Sequence, residues 1–267
     1  MRDAAPSSPA PAPVLYSVQD GIARVTLNRP EARNALSAEL MRELTRAFER
    51  AAAEPEARVV ILTGSGKAFC AGVDLKEAAT VSGETVVPGE RPSVWRAMEA
   101  CRRPIIGAIN GAAITGGFEL ALACDVLVAS TNARFADTHA RVGVIPGAGL
   151  SQRLSRAIGI HRAKYLSLTG NFLSAEQAYE WGLVSHVVPP EQLEETALLV
   201  AKDMLSVLPH MLEPYKALID EGFARALGPA LTLESERSAA HIEAMGAWAG
   251  ARDAFEAVRA RGRGQQG

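Results

Sequence analysis

From Val14 to about Pro190 the chain repeats one pattern, short apolar strands alternating with helical stretches, and this limits what it can fold into. The run "ARVVILTG" (57–64) is β-branched and has no polar alternation, the mark of a strand covered on both faces. "PIIGAIN" (104–110) and "DVLVAS" (125–130) also read as strands, with helical stretches before and between them. Repeated strand–helix units call for an α/β core with crossover connections. A hairpin precedes them, because "VLYSVQDGIARVTLNRP" alternates on each side of Asp20-Gly21, a dipeptide that tolerates positive φ, and Pro30 ends its second strand. "SAELMRELTRAFERAAAE" is an amphipathic helix capped by Ser37. Further helices are expected over about Val94–Cys101 and after Gly116-Gly117; Ser174 to Gln177 reads as a capping box and "GLVSHVVP" as a late short strand. Beyond about Pro190 only helix and loop are expected. The division that follows is a disordered leader (1–13), an α/β core (14–205) and a helical region (206–267), whose three helices have no strand to cover and serve oligomerisation.

Composition narrows the function. A chain of 267 residues, 48% hydrophobic, can fill a sizeable core. Its 28 basic and 30 acidic residues leave a net charge of -2, which gives nucleic acid no electrostatic footing. Cys70, Cys101 and Cys124 are too few and too scattered for a disulfide framework and contain no CxxC metal pair. No apolar run reaches the ~18 residues of a membrane span, and the Ala/Pro/Ser opening lacks the features of a secretory signal. A cytoplasmic protein is expected.

Familiar motifs are mostly excluded. "GSGKAF" has Phe69 where a dinucleotide loop needs its third glycine and Ile61 where a Walker loop needs its first. There is no G-x-S-x-G elbow and no histidine pair at i, i+4. What remains is two small-residue turns, "GKAFCAGVDL" and "NGAAITGGFEL", each leaving a strand and entering a helix. If they lie side by side, one peptide N–H from each can bind a carbonyl oxygen as negative charge develops on it, worth about 3 kcal/mol per donor. Glu119 stands as the one acid in an apolar stretch, either satisfying its own helix terminus as an N3 residue with Gly116 as N-cap, or serving as a base. By default Asp74 is a helix-start acid, Lys76 a solvated base, Cys70 and Cys124 core residues, Trp95 a core aromatic and His139 a surface-loop histidine.

Taken together, "NRPEARNALS", "ILTGSGKAFCAGVDLKE", "PIIGAINGAAITGGFELALACDVLVAS", "ARFADTHARVGVIPGAG" and "LTGNFLSAEQAYEWGLVSHVV" resemble the crotonase superfamily and the enoyl-CoA hydratases within it. The resemblance implies a spiral of ββα units with a helical C-terminal region, trimers or pairs of trimers, acyl-CoA thioester substrates and no separate cofactor or metal. It also implies that Val73 and Gly116 supply the oxyanion N–H groups and that Ala71, Asp74, Leu75 and Lys76 flank the CoA. Glu119 then activates the water that adds to C3 of a 2-trans-enoyl thioester. The family's hydratases carry a second glutamate twenty residues later; here that position is His139, with Asp137 two residues before it. An imidazole, of ordinary pKa ~6.5, can position water or donate a proton. The substitution leaves three readings open: a hydratase, an isomerase or other crotonase-type enzyme, and an acyl-CoA-binding protein without efficient catalysis. "ATVSGETVVPGERPS" (79–93) is expected to form a loop beside the acyl pocket.

Overall fold

The computed structural model describes residues 11–78, 93–245 and 251–264. The expected loop at 79–93 therefore lies outside the described residues except for Ser93, as do the first ten residues of the leader. β1 (Val14–Gln19) and β2 (Ile22–Leu27) form the expected hairpin, and its two-residue turn puts Asp20 at φ 52° and Gly21 at φ 81°. Two successive positive φ values match the right-handed twist of the flanking strands, which is why Asp-Gly suits this turn. α1 (Ala38–Ala53) follows, with the Ser37 hydroxyl accepting from the Leu40 N–H at 3.2 Å. The helix buries Leu40, Leu44, Ala47, Phe48 and Ala51, one stripe at helical spacing.

From there each unit is two strands and a helical segment. β3 (Val59–Gly64) leads to β4 (Ala68–Cys70), α2 (Leu75–Ala78) and α3 (Ser93–Ala100). β5 (Ile105–Ile109) leads to β6 (Ala112–Ile114) and α4 (Gly116–Leu122); β7 (Val126–Ser130) leads to β8 (Arg134–Ala136), a 3₁₀ turn (His139–Val142), α5 (Leu150–Ile158) and α6 (Ile160–Thr169). β9 (Leu173–Ser174), α7 (Ala175–Glu180), β10 (His186–Val188) and α8 (Leu193–Leu205) complete the sequence. The capping box at Ser174 and Gln177 is present in full.

The first strands of these units, β3, β5 and β7, join the hairpin and β10 in a six-stranded sheet, β1-β2-β3-β5-β7-β10, parallel from β2 onward. The second strands, β4, β6 and β8, make a small sheet with β9, which pairs antiparallel to β8. The chain thus winds as a spiral of ββα units. Successive residues of β3 enter opposite layers: Val60 and Leu62 join the core that contains α1 and α3, while Val59 and Ile61 pack with Leu193, Ala197 and Ala201 of α8. That two-sided burial is why "VVILTG" has no polar alternation.

Two compact units divide at Glu213 and Pro214, past the expected boundary near 205, which falls instead at the end of α8. α9 (Leu212–Phe223), α10 (Leu227–Met245) and α11 (Ala251–Gly264) follow, and after residue 205 the described residues contain no strand. Within the second unit an Arg237–Glu221 ion pair at 3.0 Å ties α10 to α9.

Candidate active site

β4 and β6 are parallel neighbours, Ala68 opposite Ala112 and Cys70 opposite Ala113, so the chain leaves both in the same direction and the two turns lie side by side. Only glycine permits the approach. At Gly72, φ +90°, an added Cβ would lie 2.8 Å from the Ile114 carbonyl oxygen and 3.5 Å from the Gly116 nitrogen. Val73 forms a parallel bridge with Leu36 in which the Leu36 N–H donates to the Gly72 carbonyl and the Asp74 N–H donates to the Leu36 carbonyl. In such a bridge the N–H of Val73 itself is left unused. Gly116 is the first residue of α4, where an N–H has no intrahelical acceptor, and a Cβ on it would sit 3.9 Å from the Val73 nitrogen. Two peptide N–H groups without a partner in their own elements are thus brought together.

The N-cap of α4 is Thr115, not Gly116 as expected from sequence. Thr115 adopts φ 54°, ψ -111°, a conformation that a β-branched residue rarely takes. It is held there by two contacts with the stretch before His139: its N–H donates to the Ala136 carbonyl at 2.9 Å, and its hydroxyl meets that of Thr138 at 2.5 Å. Glu119 consequently lies one turn inside α4, and it does not cap that helix. Glu119 is 4% exposed, and its carboxylate accepts from the N–H groups of Ala148, at 2.9 Å, and Leu150, at 3.4 Å. These are the peptide groups of the "GAGL" turn that opens α5. Burial pushes the Glu119 carboxyl above its usual range; the Ala148 N–H and His139 act against that push, and Asp137 adds to it.

His139 is 7% exposed, so the surface-loop expectation is corrected. Its Nε2 stands 3.9 Å from Glu119 Oε2, and its Nδ1 is 2.7 Å from Asp137 Oδ1. Asp137, 2% exposed, also accepts from the His139 N–H at 3.2 Å. Burial acts to raise the Asp137 carboxyl, but hydrogen bonds from His139 and Ser167 outweigh it and hold the group below the usual carboxylate range. The D-x-H spacing was the available sign of this pair; from sequence Asp137 served only as a register mark.

The remaining expected residues fall around the first turn. The Ala71 N–H is already used, donating to the Arg33 carbonyl at 3.0 Å, which leaves Ala71 no free donor. Asp74 pairs with Arg29 at 3.1 Å and accepts from the Lys76 N–H at 3.2 Å, as a helix-start acid should. Its burial is outweighed by those hydrogen bonds, which hold its carboxyl low. Leu75 opens α2 and Lys76 is exposed. Cys70 is buried with its thiol pushed up to about 12 by desolvation, and Trp95 lies in the core.

A model of the enoyl-CoA hydratase/isomerase family matches residues 17–250. The chain belongs to that family. A curated relative from Arabidopsis thaliana, "Probable enoyl-CoA hydratase 1, peroxisomal", is 47% identical over 226 residues, covering 84% of each protein. The 2,3-dehydroadipyl-CoA hydratase of Escherichia coli is 38% identical, covering 84% of this chain and 88% of its own. The solved enoyl-CoA hydratase of Bacillus anthracis superposes with a TM-score of 0.81 at 39% identity, over 86% of this chain and 91% of that one.

Proposed function

We propose that this protein is an enoyl-CoA hydratase, adding water reversibly and syn across the double bond of a 2-trans-enoyl-CoA to give a 3-hydroxyacyl-CoA. The observation that carries the reading is Glu119: a buried carboxylate held by two peptide N–H groups, one turn beyond the paired turns of Val73 and Gly116. The thioester oxygen sits between the N–H groups of Val73 and Gly116. Water attacks C3 and gives a proton to Glu119, while the electron pair of the double bond moves onto the thioester as an enolate. That charge exists only after attack, so donors fixed in advance stabilise the transition state more than the substrate. His139 Nε2–H then protonates C2, and the proton on Glu119 passes back to His139 through the pocket. The sum adds one water with no change in overall oxidation level. Neither a redox cofactor nor a metal enters this route, and the CoA belongs to the substrate.

The isomerase reading moves a proton between C2 and C4 and needs no second acid, and the replacement of the second glutamate by His139 is what favours it. The two are separated by assaying crotonyl-CoA for loss of its enoyl absorbance beside a 3-enoyl-CoA for gain. Hydration of crotonyl-CoA with little shift of the 3-enoyl bond supports the hydratase; the reverse result refutes it.

We also propose a trimer or a pair of trimers. Phe223, Leu227 and Leu231 in the helical unit, and Ile145, Leu168 and Phe172 in the α/β unit, are exposed and apolar, and surface of that kind favours a covered state. Light scattering should return three or six times the 28.2 kDa chain mass.

A further inference from the structure

We propose that Asp137 is a positioning residue for this reaction, and that it fixes His139 as a proton donor through Nε2. The inference rests on the hydratase reading for its catalytic meaning, but its geometry stands independently. An ionised carboxylate can only accept, so the 2.7 Å contact between Asp137 Oδ1 and His139 Nδ1 places a hydrogen on Nδ1. In the neutral ring Nε2 then carries the lone pair, and in the charged ring it carries the second proton. Either way, Nε2 is the atom that faces Glu119 Oε2 at 3.9 Å. That distance is too long for a direct hydrogen bond, and it leaves room for one oxygen atom within reach of both groups. A base and an acid converge on one small volume from two elements.

The orientation is over-determined. Asp137 Oδ1 binds both the ring and the backbone N–H of His139, at 2.7 and 3.2 Å. Thr138, between the two, is tied by its hydroxyl to Thr115 at the mouth of α4. The ring is therefore fixed relative to the turn that carries Gly116. Among the described residues the charged groups facing His139 are Glu119 from α4 and Asp137 beside it. Arg141, on the same 3₁₀ turn, is directed instead at the Thr169 carbonyl at the end of α6. When the ring is protonated, the two carboxylates and the imidazolium sum to a single negative charge, with one proton on Nε2 available to give.

The test has one arm that needs no turnover. Nitrogen-15 NMR of the full chain should show neutral His139 as the Nδ1–H tautomer, and Asp137→Asn should mix or reverse it. The Nε2–H tautomer in the parent overturns the proposal. The second arm is the kinetics of hydration. Asp137→Asn should lower kcat roughly 10²-fold and leave KM within about twofold, the pattern of a lost acid–base function. Asp137→Glu keeps an anionic acceptor for Nδ1, so it should retain the Nδ1–H tautomer and most of kcat, and it keeps the test alive if Asp137→Asn does not fold. Parent kcat in a folded Asp137→Asn protein, or a lost tautomer in Asp137→Glu, refutes the positioning role. A parent with the expected tautomer that does not hydrate crotonyl-CoA refutes the hydratase reading and leaves the dyad in place.

Discussion

Gly117→Ala should damage both the fold and the reaction, and its size can be worked from the contact it makes. Gly117 sits where α4 leans on the end of β4, and an added Cβ would lie 2.1 Å from the Cys70 carbonyl oxygen and 2.8 Å from both the carbonyl carbon and Cβ of Cys70. All three atoms are backbone or the root of a side chain, so no rotamer change relieves the clash. Ordinary contacts of this kind need about 3.5 Å, which means that α4 and β4 must separate by more than ~1 Å. Overpacking of a well-filled interior costs ~1–3 kcal/mol, and a clash against backbone belongs at the upper end. For a unit of this size each kcal/mol lowers Tm by ~2–4 °C, so a fall of roughly 6–12 °C is expected. Gly116 is the adjoining residue, and a ~1 Å displacement of a positioned group costs on the order of 10²-fold in rate. Thermal denaturation followed by circular dichroism gives the first number and crotonyl-CoA hydration the second. Gly228→Ala is the control: its Cβ would meet nothing within 4 Å, and in the first turn of α10 alanine should be neutral or stabilising by up to ~1 kcal/mol. A Gly117→Ala protein within ~2 °C of the parent in Tm and unchanged in kcat would refute the close-approach argument.

Glu119→Gln should lose ~10²-fold or more in hydration yet gain thermal stability at neutral pH. Burial raises the Glu119 carboxyl, so the native state keeps its proton to higher pH than the unfolded chain does, and the ionised group costs stability once pH passes both values. Glutamine keeps an acceptor for the Ala148 and Leu150 N–H groups, so the gain should vanish below about pH 4, and a lower Tm at neutral pH would count against this account. Gly116→Pro removes the first N–H of α4 and also strains the turn, because Thr115 before it sits at φ 54°, ψ -111°; turnover should be lost, and a folded variant with parent kcat would remove Gly116 from the oxyanion pair. His139→Glu puts a second acid opposite Glu119 and should retain hydration, whereas His139→Ala should lose roughly 10²-fold; parent kcat in a folded His139→Ala protein would end the proton-donor role.

The elements with a strong local signal were legible in the sequence: the hairpin at Asp20-Gly21, the Ser37 cap, the two-sided strand "VVILTG" and the capping box at Ser174. The small sheet was not read as a sheet in its own right, because strands of three small residues such as Ala68–Cys70 and Ala112–Ile114 are too short to show a period of two. Glu119 and His139 were picked out by type and register, but their surroundings were not. Glu119 is held by peptide groups 29 and 31 residues away, a pairing that exists only once α5 has folded back onto α4. The cap at Thr115 was missed because its conformation is imposed by Ala136 and Thr138 across the fold and runs against the residue's own preference.

The donors proposed at Val73 and Gly116 and those that hold Glu119, at Ala148 and Leu150, share one property: each is a peptide N–H. An alanine scan would leave all four in place: it would register Glu119, His139, their side-chain neighbours and the close-packed glycines such as Gly72 and Gly117, but none of the donors themselves. Sequence drift is filtered in the same way, since any residue whose backbone can hold the turn keeps the donor, whatever its side chain. Removing these atoms one at a time needs proline where the turn admits it, and elsewhere a backbone ester in place of the amide, which no ordinary codon encodes.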